Sequence, residues 1–524
     1  MGNGQERTVG VFNIAPEVIE GYTLFSPAAN TTAYLINDCG EIVNTWESAH
    51  RPGNALYLTA QGDLYRAGRL NNLQIHAGGG GGIIERFNWE GDLVWSYTYN
   101  SPTHRAHHDF QVLPNGNILI LAWELKTAEE ALAYGRNPEL LSENELWPEE
   151  IIEITPKGTN EGDIVWEWHA WDHMIQSHDP NKLNYGIVSD HPEKINTNYI
   201  RPGVDGADWQ HANSIDYNEE LDQIMLSVLF FDEIWVIDHS TTTAEAAGPK
   251  GDLLFRWGNP QAYDQGNEED QQFYGQHNAH WIKKGLPDEG KVLVFNNGSN
   301  RPEGLYSSVV KLDIGTGLSY PKTESNRFFP DTFFWEFTYD NPTDFYSRFI
   351  SGAHQLPNGN IFVTDGAHGT FFEIDSSENE VWRYVSPVTI FGIAEQGLIV
   401  TNPAGDGTNF VFRATKYPQD YPAFTGRNMS PSTPIEGNPD INFCLKRNII
   451  LPEDTQVQMF PVPAQDELYI TNYTGSYELF NLSGQQIRFG LVNPSANKIS
   501  LIGLRSGMYV VKLKDQKPKK LLIN

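Results

Sequence analysis

The chain has little cysteine, few positive charges and no long apolar run. Two cysteines among 524 residues, Cys39 and Cys444, permit one disulfide at most, and a chain of this length does not need it. Lys and Arg number 36 against 67 Asp and Glu, a formal charge of -31. Such a surface repels a polyanion, which excludes nucleic acid as a partner. No stretch of 18 apolar residues exists, so no membrane span is expected. Residues 1–20 lack the apolar centre of a secretory signal, so any such signal is expected to have been removed or replaced by the starting Met. HExxH and paired CxxC are missing too, and spacing alone supports no metal or other cofactor.

What is present is turn-rich and aromatic. Gly (47) and Pro (31) divide stretches that alternate in the manner of strands, and 12% aromatic residues are too many for disorder. A tryptophan-bearing strand recurs six times, at Trp46, Trp95, Trp166, Trp257, Trp335 and Trp382, with uneven spacings that place loops of different length on a common core. Hairpin signals follow, as in HHDFQVLPNGNILILAW and SGAHQLPNGNIFVTDG, where Asn-Gly predicts a turn with both central residues at positive φ. Six units of about four strands predict an all-β fold, a six-bladed β-propeller. The tryptophans are assigned to packing between blades.

The predicted layout is an N-terminal extension over 1–21, the propeller over 22–450 and a small C-terminal β-sandwich over 455–524. GYTLFSPAANTTAYLIND is expected to pair with the last blade and close the ring. NIILPEDTQ, at 448–456, reads as a linker. Beyond it the charge changes sign: 455–524 holds eight Lys and Arg against four Asp and Glu, a net of +4, which leaves -35 on the rest.

In a propeller the innermost strands line one axial channel. Counting eight residues back from the turn glycines Gly62, Gly116, Gly285 and Gly359 gives Asn54, His108, His277 and Ser351, and His211 falls in the same register. Polar residues here begin otherwise apolar strands. Side chains alternate along a strand, so His107, His280 and His354 are expected to point elsewhere unless a bulge turns them. Three neutral imidazoles around a channel suit either nucleophilic chemistry on an anionic group or the holding of a metal.

HHDFQVLPNGN (107–117), DWQHANSIDY (208–217), RWGNPQAY (256–263), QHNAHWI (276–282) and SRFISGAHQLPNGN (347–360) occur in one order. In these motifs the run from about 22 to 430 resembles the bacterial arylsulfate sulfotransferases, six-bladed propellers. The resemblance implies a ping-pong transfer of a sulfuryl group from an aryl sulfate to a phenol, without cofactor. It implies that His277 is sulfurylated, that His108 and His211 bind the sulfuryl group, and that Asn213 is a polar contact beside them. His277 must then be neutral to attack, whereas His108 and His211 serve best as cations. The resemblance also implies an arginine in the strand after NSIDY, where this sequence has Leu229. Arg301 and Arg413 are candidate substitutes, and Asn54, Ser351 and His354 are further candidate substrate contacts.

MFPVPAQDELYI, YELFNLSGQQI and LRSGMYVVKLK, followed by KPKK, are similar to the C-terminal sorting domains of the Bacteroidetes type IX secretion route. That resemblance implies a secreted or surface protein whose tail engages the secretion machinery. Two other readings of the propeller stand beside transfer chemistry: a metal-dependent oxygenase or lyase with His108, His211 and His277 as ligands, and a non-catalytic surface binding module.

Overall fold

The computed structural model describes residues 7–315, 317, 319–401, 405–440, 443–444, 458–471, 473–493, 497–514 and 518–524, so the linker read at 448–456 lies outside the described residues. The chain divides into two units, Met1–Pro439 and Asp440–Asn524. No described helix is long and apolar enough to cross a membrane.

The first unit holds six antiparallel blade sheets, five of four strands and one, blade six, of five. Their inner strands are Val411–Pro418, Pro52–Leu58, His104–Val112, Ala212–Asn218, His277–Trp281 and Gly352–Gln355, for blades one to six. Blade one is a composite. Its other three strands, Gly21–Pro27, Thr32–Asn37 and Ile42–Glu47, come from the chain's start, and Gly21–Pro27 pairs with Val411–Pro418. The ring therefore closes by backbone hydrogen bonds between sequence ends some 390 residues apart (Gly21 faces Pro418). The stretch read as an N-terminal extension contributes a strand as well: Gly10–Ile14 adds to the outer edge of blade six against Glu380–Val385 and covers that edge.

All six repeated tryptophans lie in the fourth strand of a blade counted from the channel, and each indole reaches the next blade. Trp46 donates from Nε1 to the Asn88 carbonyl (2.9 Å), Trp95 to that of Glu161 (3.0 Å), Trp166 to Thr241 Oγ1 (3.3 Å), Trp257 to the Pro330 carbonyl (2.6 Å) and Trp335 to Glu378 Oε1 (2.9 Å). Trp382 of blade six returns to Asp38 of blade one (2.8 Å), so the series is cyclic. An indole buries a large apolar face and still needs a partner for its N–H, and the neighbouring blade's turn supplies one.

The LPNG turns differ from expectation. In Leu113–Asn117 and Leu356–Asn360 only the glycine, Gly116 or Gly359, has positive φ, and its N–H donates to the carbonyl three residues back. Pro114 and Pro357 fix φ near -65° at the first central position, which makes a type I turn followed by a left-handed glycine instead of the mirror-image turn.

The second unit contains a three-stranded sheet, Gln458–Phe460, Glu467–Thr471 and Lys498–Ser500, and a four-stranded one ordered Gln486–Val492, Gly475–Asn481, Gly507–Leu513, Lys519–Ile523. Both are antiparallel and share a core of Leu468, Ile470, Leu479, Val511, Leu513 and Leu521 among others. Cys39 and Cys444 are both disulfide-bonded, so neither is the free thiol that chain length alone allows.

Trp382 is fully buried whereas Trp335 is only half-buried. Trp382→Ala is expected to cost about 3–5 kcal/mol and Trp335→Ala clearly less, measured as the shift of the urea unfolding midpoint. Equal costs would show that burial between blades does not set their weight.

Candidate functional site

The inner strands are irregular where they enter the channel. Bulges displace the register between Pro52 and Leu56, between Ala106 and Phe110, between Ala212 and Ser214, and between His277 and His280. Beside them Asn54, His108, His211, Asn278 and Ser351 take positive φ, between 47° and 97°. For histidine or serine the left-handed region costs on the order of 1 kcal/mol or more per residue. The strain recurs in five blades, at the counted register position in four of them and one residue past it, at Asn278 after His277, in blade five.

Asn54, His108, His211 and His277 are thereby brought to one cavity of about 350 Å³. Its other lining residues include Gly78, Gly79, Arg201, Leu229, Ser299, Arg348, Phe349 and Ile350. The lining contains three histidines, two arginines and no carboxylate.

Each imidazole has a different electrostatic setting. His277 Nδ1 faces two acceptors, Asn297 Oδ1 at 2.7 Å and the Gly275 carbonyl at 3.1 Å. Asn297 is oriented by its own donations from Nδ2 to the Ser347 and Ile350 carbonyls, so its oxygen must face the ring. The proton of neutral His277 therefore sits on Nδ1, and Nε2 keeps its lone pair. Burial, with the charge of His211 adding to it, pushes the His277 pKa down to about 3 against the hydrogen bond that Nδ1–H donates to Asn297. His211 goes the other way. Burial opposes its charge, but Asp208 Oδ2, 2.5 Å from Nδ1, and Glu149 behind it outweigh burial and raise its pKa above the ordinary value.

His108 departs from the cationic role expected of it. Burial, then repulsion by His211, His107 and His277, lowers its pKa well below the ordinary value. Its ring lies edge-on to His211, 4.6 Å between centroids. Its Nδ1 is 2.8 Å from His107 Nδ1, and His107 Nε2 is 2.8 Å from Glu149 Oε2, so three buried groups form a chain leading away from the cavity. His107 stacks on Trp123 at 3.8 Å. Burial raises the Glu149 pKa well above the carboxylate range.

Several residues singled out in the sequence lie elsewhere. Ser351 is buried, bonded to Ser347 Oγ (2.8 Å) and accepting from the Gly366 N–H (3.0 Å). Asn213 is buried and donates to the Gln276 carbonyl (2.8 Å), so it fixes the backbone that carries His277 and does not face the cavity. Arg301 is spent on Tyr306 (3.1 Å) and Ser308 (3.2 Å) outside the lining. Arg413 and His354, with His280, line a second cavity of about 250 Å³ further along the same strands, and Arg413 pairs there with Asp109 at 2.7 Å.

Arg201 and Arg348 were not read from the sequence as site residues. Arg201 comes from the long connection between blades three and four, and nothing in its own neighbourhood marks it. Its Nε pairs with Asp232 at 3.0 Å, while Nη1 and Nη2 reach only 3.4 Å to the Leu229 and Ser299 carbonyls. A guanidinium thus lies against the backbone of Leu229. Arg348, half-exposed, pairs with Asp406 at 2.9 Å. The run of five glycines at 78–82 was a readable signal that went unused: Gly79 has φ +76°, and a Cβ there would lie 2.0 Å from the His108 ring.

The three channel imidazoles do not form a group whose ligand atoms all lie within 4.8 Å of one another. Among the described residues one such group exists, Glu124, Glu150 and His169, in blade three. The geometry therefore does not favour His108, His211 and His277 as ligands of a single ion.

Residues 53–390 match the arylsulfotransferase (ASST) family, and residues 458–524 match the secretion system C-terminal sorting domain. No curated protein sequence matches the chain. Similar solved structures include a protein of unknown function from Bacteroides caccae (13% identity, 76% of this chain and 99% of that one, TM-score 0.41). Another is a catalytically inactive variant of virginiamycin B lyase from Staphylococcus aureus with quinupristin (12% identity, 72% and 89%, TM-score 0.32).

Gly79→Ala is expected to push the His108 ring aside and leave the ring fold intact. In ¹⁵N spectra the His108 resonances should move while those of His239, remote from the cavity, stay in place. Unmoved His108 resonances would show that the glycine run does not set its position.

Proposed function

We propose that the chain, which belongs to the arylsulfotransferase family and carries a tail that directs it to secretion or the cell surface, moves a sulfuryl group from an aryl sulfate to a phenol through a sulfohistidine at His277. One observation carries this reading: on a chain of charge -31 the cavity is lined by Arg201, Arg348 and three histidines and by no carboxylate. An anion repelled by the molecule as a whole finds a concentration of donors there.

His277 Nε2 attacks the sulfur as the bond to the aryl oxygen breaks, and the phenolate leaves with that electron pair. A loose in-line transition state of this kind requires positioning and charge stabilisation more than covalent help. Arg201 and the His211 cation hold the sulfuryl oxygens, Arg201 taking the part that an arginine at 229 would have had. With Glu149 protonated, the chain Glu149–His107–His108 leaves His108 Nε2 protonated, and that proton passes to the departing oxygen as the His107 Nδ1 proton moves to His108 Nδ1 and the Glu149 proton to His107 Nε2, leaving Glu149 a carboxylate. In the return step His108 takes the acceptor phenol's proton while the phenol oxygen attacks sulfur. The S–N bond breaks and its pair returns to His277. Leu229, Phe349 and Ile350 offer apolar surface to the aryl ring.

His277→Ala is expected to abolish both turnover of a chromogenic aryl sulfate and the acid-labile sulfuryl adduct detected by mass spectrometry. Turnover that survives this change would overturn the reading. Arg201→Ala should lower kcat/KM by about two to three decades, the usual weight of one such donor, with Arg201→Lys recovering part. A wild-type rate in Arg201→Ala would remove that assignment.

The pH profile tests His211. Its cation is complete below its raised pKa and is lost as pH rises through it, so sulfurylation should fall on the alkaline side. Asp208→Asn removes the group that sustains the cation and should move that fall to lower pH. A fall that stays in place would mean His211 does not act as a cation.

A further inference from the structure

A second group of side chains lies away from the channel, where blades two and three meet. The four strands of blade three each contribute one residue: His104 from the inner strand His104–Val112, Glu124 from Ile118–Glu124, Glu150 from Glu149–Lys157 and His169 from the outer strand Glu161–His169. Tyr99, just past the outer strand of blade two, adds its hydroxyl 3.3 Å from His104 Nδ1. Glu149 and Glu150 are consecutive, so they face opposite sides of the sheet. Glu149 supports the channel histidines, and Glu150 belongs to this group.

We propose that Glu124, Glu150 and His169 form a binding site for one divalent transition-metal ion, of the zinc or manganese class. The geometry suits an ion at the centre. His169 Nδ1 is 3.4 Å from Glu124 Oε2 and 3.6 Å from Glu150 Oε2, and the three ligand atoms all lie within 4.8 Å of one another. Charge-assisted hydrogen bonds close to about 2.7–2.9 Å, whereas ligands at about 2.0–2.2 Å from a tetrahedral ion stand about 3.3–3.5 Å apart. The two separations from His169, 3.4 and 3.6 Å, lie close to the second figure and away from the first.

Satisfaction of the polar atoms points the same way. Glu124 and Glu150 are both buried, yet Glu150 Oε2 and Glu124 Oε1 have no hydrogen-bond partner among the described residues. A buried carboxylate oxygen left bare costs free energy that an ion would recover. The other oxygen of Glu150 is engaged by His104 Nδ1 at 2.9 Å, which orients the carboxylate as an outer partner orients a metal ligand. Two carboxylates offset the ion's charge. Lys126 Nζ, 2.7 Å from Glu124 Oε2 and over the Trp171 ring, supplies the counter-charge that an ion would displace. Such an ion would join three strands of blade three directly, and through His104 the inner strand that carries His107 and His108. The site stands whether or not the channel transfers sulfuryl groups.

The test uses the full chain, without a histidine tag and stripped by chelator, titrated separately with Zn²⁺ and Mn²⁺ by calorimetry. One of the two should bind at one equivalent and raise the thermal unfolding midpoint. Glu150→Gln and His169→Ala should each weaken binding at least tenfold, and Lys126→Met should tighten it. Because Glu150 is buried and its replacement could unfold the blade, anomalous diffraction from wild-type crystals grown with the ion supplies a readout without mutation. A peak among Glu124, Glu150 and His169 is the expected result. A peak only at surface histidines, or affinity for both ions weaker than roughly 1 mM, overturns the proposal.

Discussion

Six indole N–H groups, each given to the turn of the next blade, hold the ring to a fixed count and spacing. A single bond of this kind is worth only about 1 kcal/mol. Its weight comes from the large side chain that delivers it, which must be buried against the neighbour for the bond to form. Because the sixth tryptophan reaches the first blade, an extra or missing blade would leave an indole and a turn unpaired. Closure by Gly21–Pro27 against Val411–Pro418 then joins the two ends of the unit by backbone bonds. Every channel residue inherits its position from that closed ring.

Within the ring, register is broken at both edges of the blades. The outer strands bulge in blades one, two, three and six, and the inner strands of blades two to five bulge where they enter the channel, beside residues in the left-handed region. The surroundings over-determine this strain. Gln276 shows how: its side chain donates to the Val228 and Glu233 carbonyls, and its own carbonyl accepts from Asn213 and Ser227. The residue before His277 is clamped to blade four, and the imidazole that follows has no freedom to withdraw.

The histidines illustrate how one residue type takes different states within a few ångströms. His108 and His277 are buried and His211 nearly so, and burial alone would make all three neutral. Asp208 reverses that for His211, which in turn helps to hold His108 and His277 neutral through its charge. A cation and a neutral nucleophile therefore sustain each other. The two arginines at the cavity are held by Asp232 and Asp406, carboxylates that do not line it, so the positive face is turned inward.

Much of this was legible in the chain. The recurring tryptophans, the turn glycines and the eight-residue register announced a six-fold all-β ring and placed Asn54, His108, His211 and His277 together, because strand period and turn chemistry are local properties. The same register misjudged Ser351, whose side chain turns to Ser347, and the alternation rule could not foresee bulges. Arg201 was out of reach: it lies 28 residues from Leu229 and 76 from His277, in a loop with no pattern, and only the packing of blades three to five brings it to the cavity. The tautomer of His277 and the opposed charges of His211 and His108 were likewise undecided until Asn297, Asp208 and Glu149 had positions. Sequence alone determined the repeat and the residue types that face the axis, since both follow from periodicity. Tertiary structure decided which of those residues are charged and which arginine joins them, since burial and Coulomb interaction depend on distances that no spacing along the chain contains.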